Sequence, residues 1–258
     1  MAEKIPWIGT SWKMNKVRAE AIDFANTLKT SPFANTMIAQ PFVIPPFPYI
    51  ADVADILEGT RVKIGAQNMH WDDHGPWTGE ISAAMVGDCG ATMVELGHSE
   101  RRTFFNETDE TVALKVRAAL NHGLLALVCI GDTKAEYEAG QTPAVLERQT
   151  LAALSQVGKE AHGQVIFAYE PVWSIGEGGI PANPGFANEQ HKRIKAVTEV
   201  ETGMEMPVLY GGSVNPQNCH DLARQPHIDG LFIGRSAWNA KDFIGIIETV
   251  TSALGGKS

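Results

Sequence analysis

Glu170 closes an apolar, strand-like stretch, Val165 to Tyr169, and is followed by Pro171-Val172-Trp173-Ser174-Ile175 and then Gly176, Gly178 and Gly179. A carboxylate held at a strand end can serve as a base if its partner proton is brought within reach. The Pro-Val-Trp piece is stiff enough to act as a hinge. The glycine-rich tip lets backbone N–H groups approach a ligand closely, because glycine carries no side chain and tolerates positive φ. A base beside a closable loop suits proton abstraction from carbon, where water must be kept from the intermediate.

Other chemistry-bearing residues fall at comparable places. Ser11 and Lys13 end the first apolar run, and His98 follows the fourth. Gly211-Gly212-Ser213 follow the seventh, and Gly234-Arg235 the eighth. Taken singly, each has a plainer reading. Lys13 could be a solvated cation, His98 a hydrogen-bonded structural residue, Glu170 a loop carboxylate and Gly211-Gly212 a simple turn. Arg101 and Arg102 are expected to pair with Glu100 or Glu95 at a helix start. The plain readings weaken together, since chance would have to place all of these residues on one rim.

The glycine turns point to a phosphate. Backbone N–H groups near Ser213, Gly234 and Arg235, with a short helix N-terminus, could cradle an anion, and Gly176 on the loop could add a donor. Lys13 would supply charge nearby. No GxxxxGK[ST] nucleotide loop occurs, and no convincing GxGxxG. His70, Asp72, Asp73 and His74 cluster in a Trp-rich loop, but a loop rim or subunit contact is expected there and a metal site is not.

Eight short apolar runs position these groups: Trp7 to Trp12, Phe42 to Ile44, Val62 to Ala66, Met93 to Leu96, Leu124 to Ile130, Val165 to Tyr169, Val208 to Tyr210 and Leu231 to Ile233. Helix-length patterns lie between most of them, at Ala19 to Leu28, Tyr49 to Leu57, Thr111 to Asn121, Ala144 to Leu154, Asn188 to Val200 and Asp242 to Leu254. Strand–helix alternation predicts a parallel sheet. Eight repeats in 258 residues fit a closed (β/α)₈ barrel, one domain over 1–258, better than an open doubly wound sheet. In such barrels the C-terminal strand ends share one mouth, and the residues above all sit at those ends.

Composition narrows the partners. The formal charge of −9 disfavours nucleic acid and anionic membrane surfaces. Cys89, Cys129 and Cys219 are widely spaced, without a CxxC pair, as expected of reduced thiols in the cytoplasm. Met1 to Pro6 lack an apolar signal core.

Several stretches together resemble the triosephosphate isomerase family. They are Trp12-Lys13-Met14-Asn15, Gly65-Ala66-Gln67-Asn68, Thr78-Gly79-Glu80-Ile81-Ser82, Leu96 to Arg102, Ala168 to Trp173 and Tyr210 to Asn215, in family order over nearly the whole chain. The resemblance implies a cofactor-independent sugar-phosphate isomerase with no metal. It implies Glu170 as base, His98 as neutral electrophile and Lys13 as electrostatic anchor, with Gly176, Ser213, Gly234 and the Arg235 N–H on phosphate. It also implies a homodimer in which the Gln67–Ser82 loop, with Thr78 near its tip, reaches a neighbour. Met69, Trp71 and Trp77 are expected to give this loop an apolar load that a monomer would expose.

The departures bear on the substrate. The family's usual Gly-Asn-Trp-Lys reads Gly9-Thr10-Ser11-Trp12-Lys13 here, so Ser11 replaces an asparagine beside the reacting carbons. The loop tip reads Gly176-Glu177-Gly178-Gly179-Ile180-Pro181-Ala182, and the last turn Gly234-Arg235 in place of Gly-Gly. These features are similar to the branch acting on four-carbon ketose phosphates in erythritol breakdown, the L-erythrulose-1-phosphate isomerases. Arg235 is expected to contact phosphate or a lid carboxylate such as Glu177. Triosephosphate isomerase activity is the alternative, and a non-catalytic sugar-phosphate-binding barrel the reading from another class.

Overall fold

A computed structural model describes residues 5–176 and 178–255. Eight strands, β1 (Trp7–Ser11), β2 (Gln40–Ile44), β3 (Lys63–Ala66), β4 (Met93–Leu96), β5 (Leu125–Ile130), β6 (Val165–Tyr169), β7 (Val208–Tyr210) and β8 (Gly230–Ile233), pair in chain order. Every pairing is parallel, and β8 returns to β1, with Trp7 opposite Gly230 and Thr10 opposite Ile233. The closed (β/α)₈ barrel leaves no sheet edge unpaired.

The helices are α1 (Arg18–Lys29), α2 (Ile50–Leu57), α3 (Ala83–Asp88), α4 (Ser99–Phe104), α5 (Asp109–Asn121), α6 (Lys134–Glu138), α7 (Thr142–Leu154), α8 (Pro184–Thr202), α9 (Cys219–Ala223) and α10 (Ala240–Ala253). The six expected from sequence are α1, α2, α5, α7, α8 and α10, each within a few residues at either end. The other four are one to two turns long, too short to show a 3.6-residue period. Local chemistry sets the boundaries. Thr108 caps α5 by accepting from Thr111 N at 3.3 Å, and Pro184 opens α8, which ends on Gly203 at φ 80°.

Two cores result from strand alternation. Side chains pointing outward meet the helices and form a continuous annulus that includes Phe24, Val43, Val94, Val128, Phe167 and Phe243. Those pointing inward fill the lumen: Phe42, Ile44, Met93, Leu127, Cys129, Ile166, Ala168, Leu209 and Phe232. Phe42 lies across the barrel floor, stacked on Phe232 at 5.8 Å between ring centroids and edge-on to Trp7 at 6.2 Å. A Cβ on Gly9 would stand 2.1 Å from the Phe42 ring, so β1 carries glycine at this level. The packed floor confines any ligand to the C-terminal mouth. Among the described residues, no helix is long and apolar enough to cross a membrane.

Candidate active site

At the end of β1, Ser11 is 3% exposed and its carbonyl accepts a hydrogen bond from Trp238 Nε1 at 2.9 Å. The chain then turns sharply at Lys13, whose φ of 51° is a left-handed value that a side chain resists. Gln67 Nε2 steadies this turn by donating to the carbonyls of Lys13, at 3.0 Å, and Ile44, at 3.2 Å. The turn sends the Lys13 ammonium over the mouth, where it donates to Glu100 Oε1 at 2.5 Å. Burial alone would lower its pKa. The Glu100 hydrogen bond and the charges of Glu170, Glu100 and Glu95 outweigh that effect and hold it above the ordinary lysine value.

After β4, His98 sits at the N-cap of α4, and its Nδ1 accepts from Glu100 N at 3.1 Å. Nδ1 is therefore unprotonated and Nε2 carries the hydrogen, aimed at Glu170 Oε2 3.6 Å away. The preceding turn at Gly97 (φ 72°) is clamped from both sides. Gly97 N donates to Glu107 Oε1 at 3.0 Å, and Arg102 Nε donates to the Gly97 carbonyl at 2.8 Å. The expected pairing of Arg101 and Arg102 with Glu100 or Glu95 is corrected here. Arg101 binds Glu107 at 2.7 Å and Arg102 binds Asp109 at 2.6 Å. Glu107, 7% exposed, collects charge from Lys115 as well as Arg101, which overcomes its burial and lowers its pKa. Both arginines thereby brace the loop that carries His98, and Glu100 is left for Lys13.

Glu170, the residue after β6, is 4% exposed and its Oε2 has no hydrogen-bond partner among the described residues. Its backbone is fixed by Glu170 N donating to Ile130 O at 2.8 Å. Glycines clear its surroundings: a Cβ on Gly131 would fall 1.9 Å from the Glu170 carbonyl, and one on Gly211 2.8 Å from its Cγ. Beneath it lies Cys129, whose thiol pKa is pushed up by burial and then by the charges of Glu170 and Glu95. Such a thiol is unreactive.

The loop after Glu170 begins with a short 3₁₀ turn, Val172–Ser174. Asp132, fully buried at the end of β5, anchors it by accepting from Tyr169 Oη at 3.1 Å, Thr142 Oγ1 at 2.7 Å and Trp173 Nε1 at 3.4 Å. The loop is latched to the β7 rim. Ala182 N donates to Tyr210 Oη at 3.3 Å, and the Ser213 hydroxyl donates to the Ser174 carbonyl. Ser213 (φ 44°) thus spends its hydroxyl on the lid, leaving its backbone N–H as the candidate anion donor. Gly234 leads directly into the 3₁₀ turn Arg235–Ala237, the short helix start expected beside a phosphate. Glu177, the suggested partner of Arg235, lies outside the described residues.

Ser11, Lys13, His98, Glu170, Gly176, Ser213, Gly234 and Arg235 all line one cavity of about 390 Å³. The Trp-rich loop lies apart. His70 stacks between Trp71 and Trp77, at 4.1 and 4.6 Å, and Asp73 pairs with His122. Met69, expected to load the loop surface, is instead fully buried in the core, whereas Trp77 remains 45% exposed. Among the described residues, no group of three or more His, Cys, Asp or Glu is placed to hold a metal ion. Sequence reasoning gave no role in the site to Asp132, Gln67, Trp238 or Glu95. Asp132 could have been found, because it too follows a strand end. Glu95 gave no such signal, lying inside an apolar run.

The chain is similar in sequence to known proteins. A family model described as triosephosphate isomerase matches residues 6–250. The L-erythrulose-1-phosphate isomerase of Rhizobium meliloti (strain 1021) is 54% identical over 249 residues, covering 96% of this chain and 98% of that protein. The protein of the same name from Rhizobium rhizogenes (strain K84) is 52% identical over 251 residues, 97% and 96% of the two chains. That from Brucella abortus biovar 1 (strain 9-941) is 54% identical over 242 residues, 93% and 94%.

Proposed function

The chain belongs to the triosephosphate isomerase family, and we propose that it interconverts L-erythrulose 1-phosphate and D-erythrulose 4-phosphate, as a single (β/α)₈ domain and without a cofactor. The observation that carries this reading is the approach of a proton-bearing His98 Nε2 to within 3.6 Å of Glu170 Oε2, a buried oxygen without a hydrogen-bond partner among the described residues, in a cavity that also receives the Lys13 ammonium. The names of the near full-length relatives support the four-carbon substrate.

The chemistry follows from these positions. Glu170 removes the proton from C3, the carbon next to the C2 carbonyl of L-erythrulose 1-phosphate. The C3–H electron pair becomes the C2–C3 double bond, and the carbonyl π pair moves to O2. His98 Nε2–H and Lys13 stabilise the enediolate oxygens where negative charge develops. The O3 proton passes to O2 by way of His98 Nε2, the carbonyl reforms at C3 as the enediol pair takes up the proton from Glu170 at C2, and the product is the 4-phosphate. Nothing is oxidised overall and no co-reactant is consumed. The latched loop holds water away from the enediolate, which would otherwise expel phosphate. N–H groups at Gly176, Ser213, Gly234 and Arg235 hold the phosphate through the reaction.

The reading predicts that kcat/KM for L-erythrulose 1-phosphate exceeds that for dihydroxyacetone phosphate by at least about tenfold, roughly 1.4 kcal/mol of transition-state binding. Steady-state assays with both substrates decide this, and a preference for the triose would make the chain a divergent triosephosphate isomerase. Ser11→Asn should narrow the gap, because it fills the space next to the reacting carbon.

The protein is further expected to be a cytoplasmic homodimer. Its three cysteines are free thiols, and Trp77 and Thr78 on the Gln67–Ser82 loop are exposed, as a segment seated on a second copy would be. Light scattering at micromolar concentration should give twice the chain mass, and a monomer alone would reject the dimer.

A further inference from the structure

Glu95 is out of place by every criterion of stability. It is the third residue of β4 and points into the lumen with Met93, two residues before it, where the other side chains are almost all apolar. It is 3% exposed. The Ser11 hydroxyl is near enough to interact with the carboxyl group, while Oε2 has no hydrogen-bond partner among the described residues. A buried carboxyl group with half its capacity unmet costs stability that a well-packed apolar side chain would not. Burial, then the neighbouring Glu170 charge, raises its pKa to about 7, against the opposing influence of His98, the Ser11 hydrogen bond and Lys13. The group therefore carries a proton for part of the time near neutrality, and can donate as well as accept.

Its location suggests what it is kept for. In L-erythrulose 1-phosphate the hydroxymethyl group hangs from C3, the carbon from which Glu170 takes the proton. This group must lie against the inner wall of the site beside Glu170. Ser11 lines that cavity, and Glu95, buried outside the lining, interacts with Ser11. We infer that Glu95 and Ser11 form the receptor for the substrate's hydroxymethyl group, Ser11 touching its hydroxyl and Glu95 setting the direction of the Ser11 hydroxyl. This inference rests on the four-carbon function proposed above and adds a specificity-determining residue to it. A site built to pair with a substrate hydroxyl discriminates against an analogue that lacks it, because its own polar groups are then left unmatched. Dihydroxyacetone phosphate is such an analogue, with hydrogen in place of the hydroxymethyl group.

The test is kinetic and uses the full-length protein with Glu95→Met, Glu95→Gln, Ser11→Ala and the Glu95→Met/Ser11→Ala double variant. For each, kcat/KM is measured with L-erythrulose 1-phosphate and with dihydroxyacetone phosphate. Glu95→Met and Ser11→Ala should each lower the four-carbon to three-carbon ratio by about tenfold or more. The double variant should lower it little further, since both changes break one relay. Glu95→Gln, which keeps a hydrogen-bonding group for Ser11, should stay within about threefold of the wild-type ratio. Glu95→Met should melt no lower than wild type at pH 8, where the ionised carboxyl facing Ser11, His98, Lys13, Cys129 and Glu170 costs most.

An unchanged ratio in Glu95→Met, or equal losses on both substrates, would overturn the inference while leaving the proposed function standing. If Glu95→Met does not fold, Ser11→Ala decides, and an unchanged ratio there overturns the inference equally. A wild type that prefers the triose would overturn both readings at once.

Discussion

Glu170→Gln is expected to fold as the wild type does and to lose at least about 10²-fold in kcat, within the 10²–10⁴-fold typical of positioned acid–base catalysis. Glutamine matches glutamate in size, so it fits the space that Gly131 and Gly211 keep clear and leaves the Glu170 N to Ile130 O hydrogen bond intact. It also relieves a cost, since a neutral amide replaces a carboxylate that is 4% exposed with one oxygen unpartnered among the described residues. Removing such a charge should hold or raise the melting temperature. KM should change much less than kcat, because the carboxylate acts on the C3 proton and not on the phosphate. Rapid-mixing or steady-state turnover, with circular dichroism as the folding control, checks both parts. A non-catalytic sugar-phosphate binder would have no turnover to lose, and near-normal turnover in the variant would mean that another group is the base.

Lys13→Ala is the second large effect expected, with kcat/KM falling by about 10²–10³-fold, the range seen when one preorganised oxyanion-stabilising group is lost. Here kcat and KM should both suffer, since the ammonium faces an anion in the ground state and a growing enediolate in the transition state. In a chain with net charge −9, this cation also offsets a field that repels a phosphorylated substrate. Stability should barely move, because its partner Glu100 is 46% exposed and can be solvated once alone. Steady-state kinetics with L-erythrulose 1-phosphate measures the split, and unchanged constants would restore the plain reading of Lys13 as a solvated surface cation.

The barrel was legible because each strand is buried on both faces and therefore reads as a compact apolar run, closed by glycine or by the polar residue that enters the mouth. Trp7 to Ser11 and Val165 to Tyr169 are typical. Helices of eight residues or more showed their period, while α3, α4, α6 and α9 are fixed by caps and by neighbours instead. The convergence of the candidate residues was legible for the same geometric reason: Ser11, Lys13, His98, Glu170, Ser213, Gly234 and Arg235 stand at strand ends or just beyond them, and a closed barrel brings those ends to one cavity. What sequence could not reveal depends on contacts across the fold. Local sequence does not specify which carboxylates the arginines after His98 bind, and the chain path delivers Glu107 and Asp109 to them. Met69 looked like surface load because loop residues give no sign of which side faces the core. Glu95 is hidden by its apolar neighbours Val94 and Leu96, and only the lumen contact with Ser11 gives it meaning.

The most direct measurement is NMR of the purified protein incubated with L-erythrulose 1-phosphate in D₂O. The account predicts D-erythrulose 4-phosphate as the product, with deuterium at the carbon that had been the carbonyl, and wash-in of deuterium at C3 of the recovered substrate. Both signals should vanish in step when Glu170 is changed to Gln. Recovery of L-erythrulose 1-phosphate unchanged and unlabelled, while dihydroxyacetone phosphate is converted under the same conditions, would contradict it.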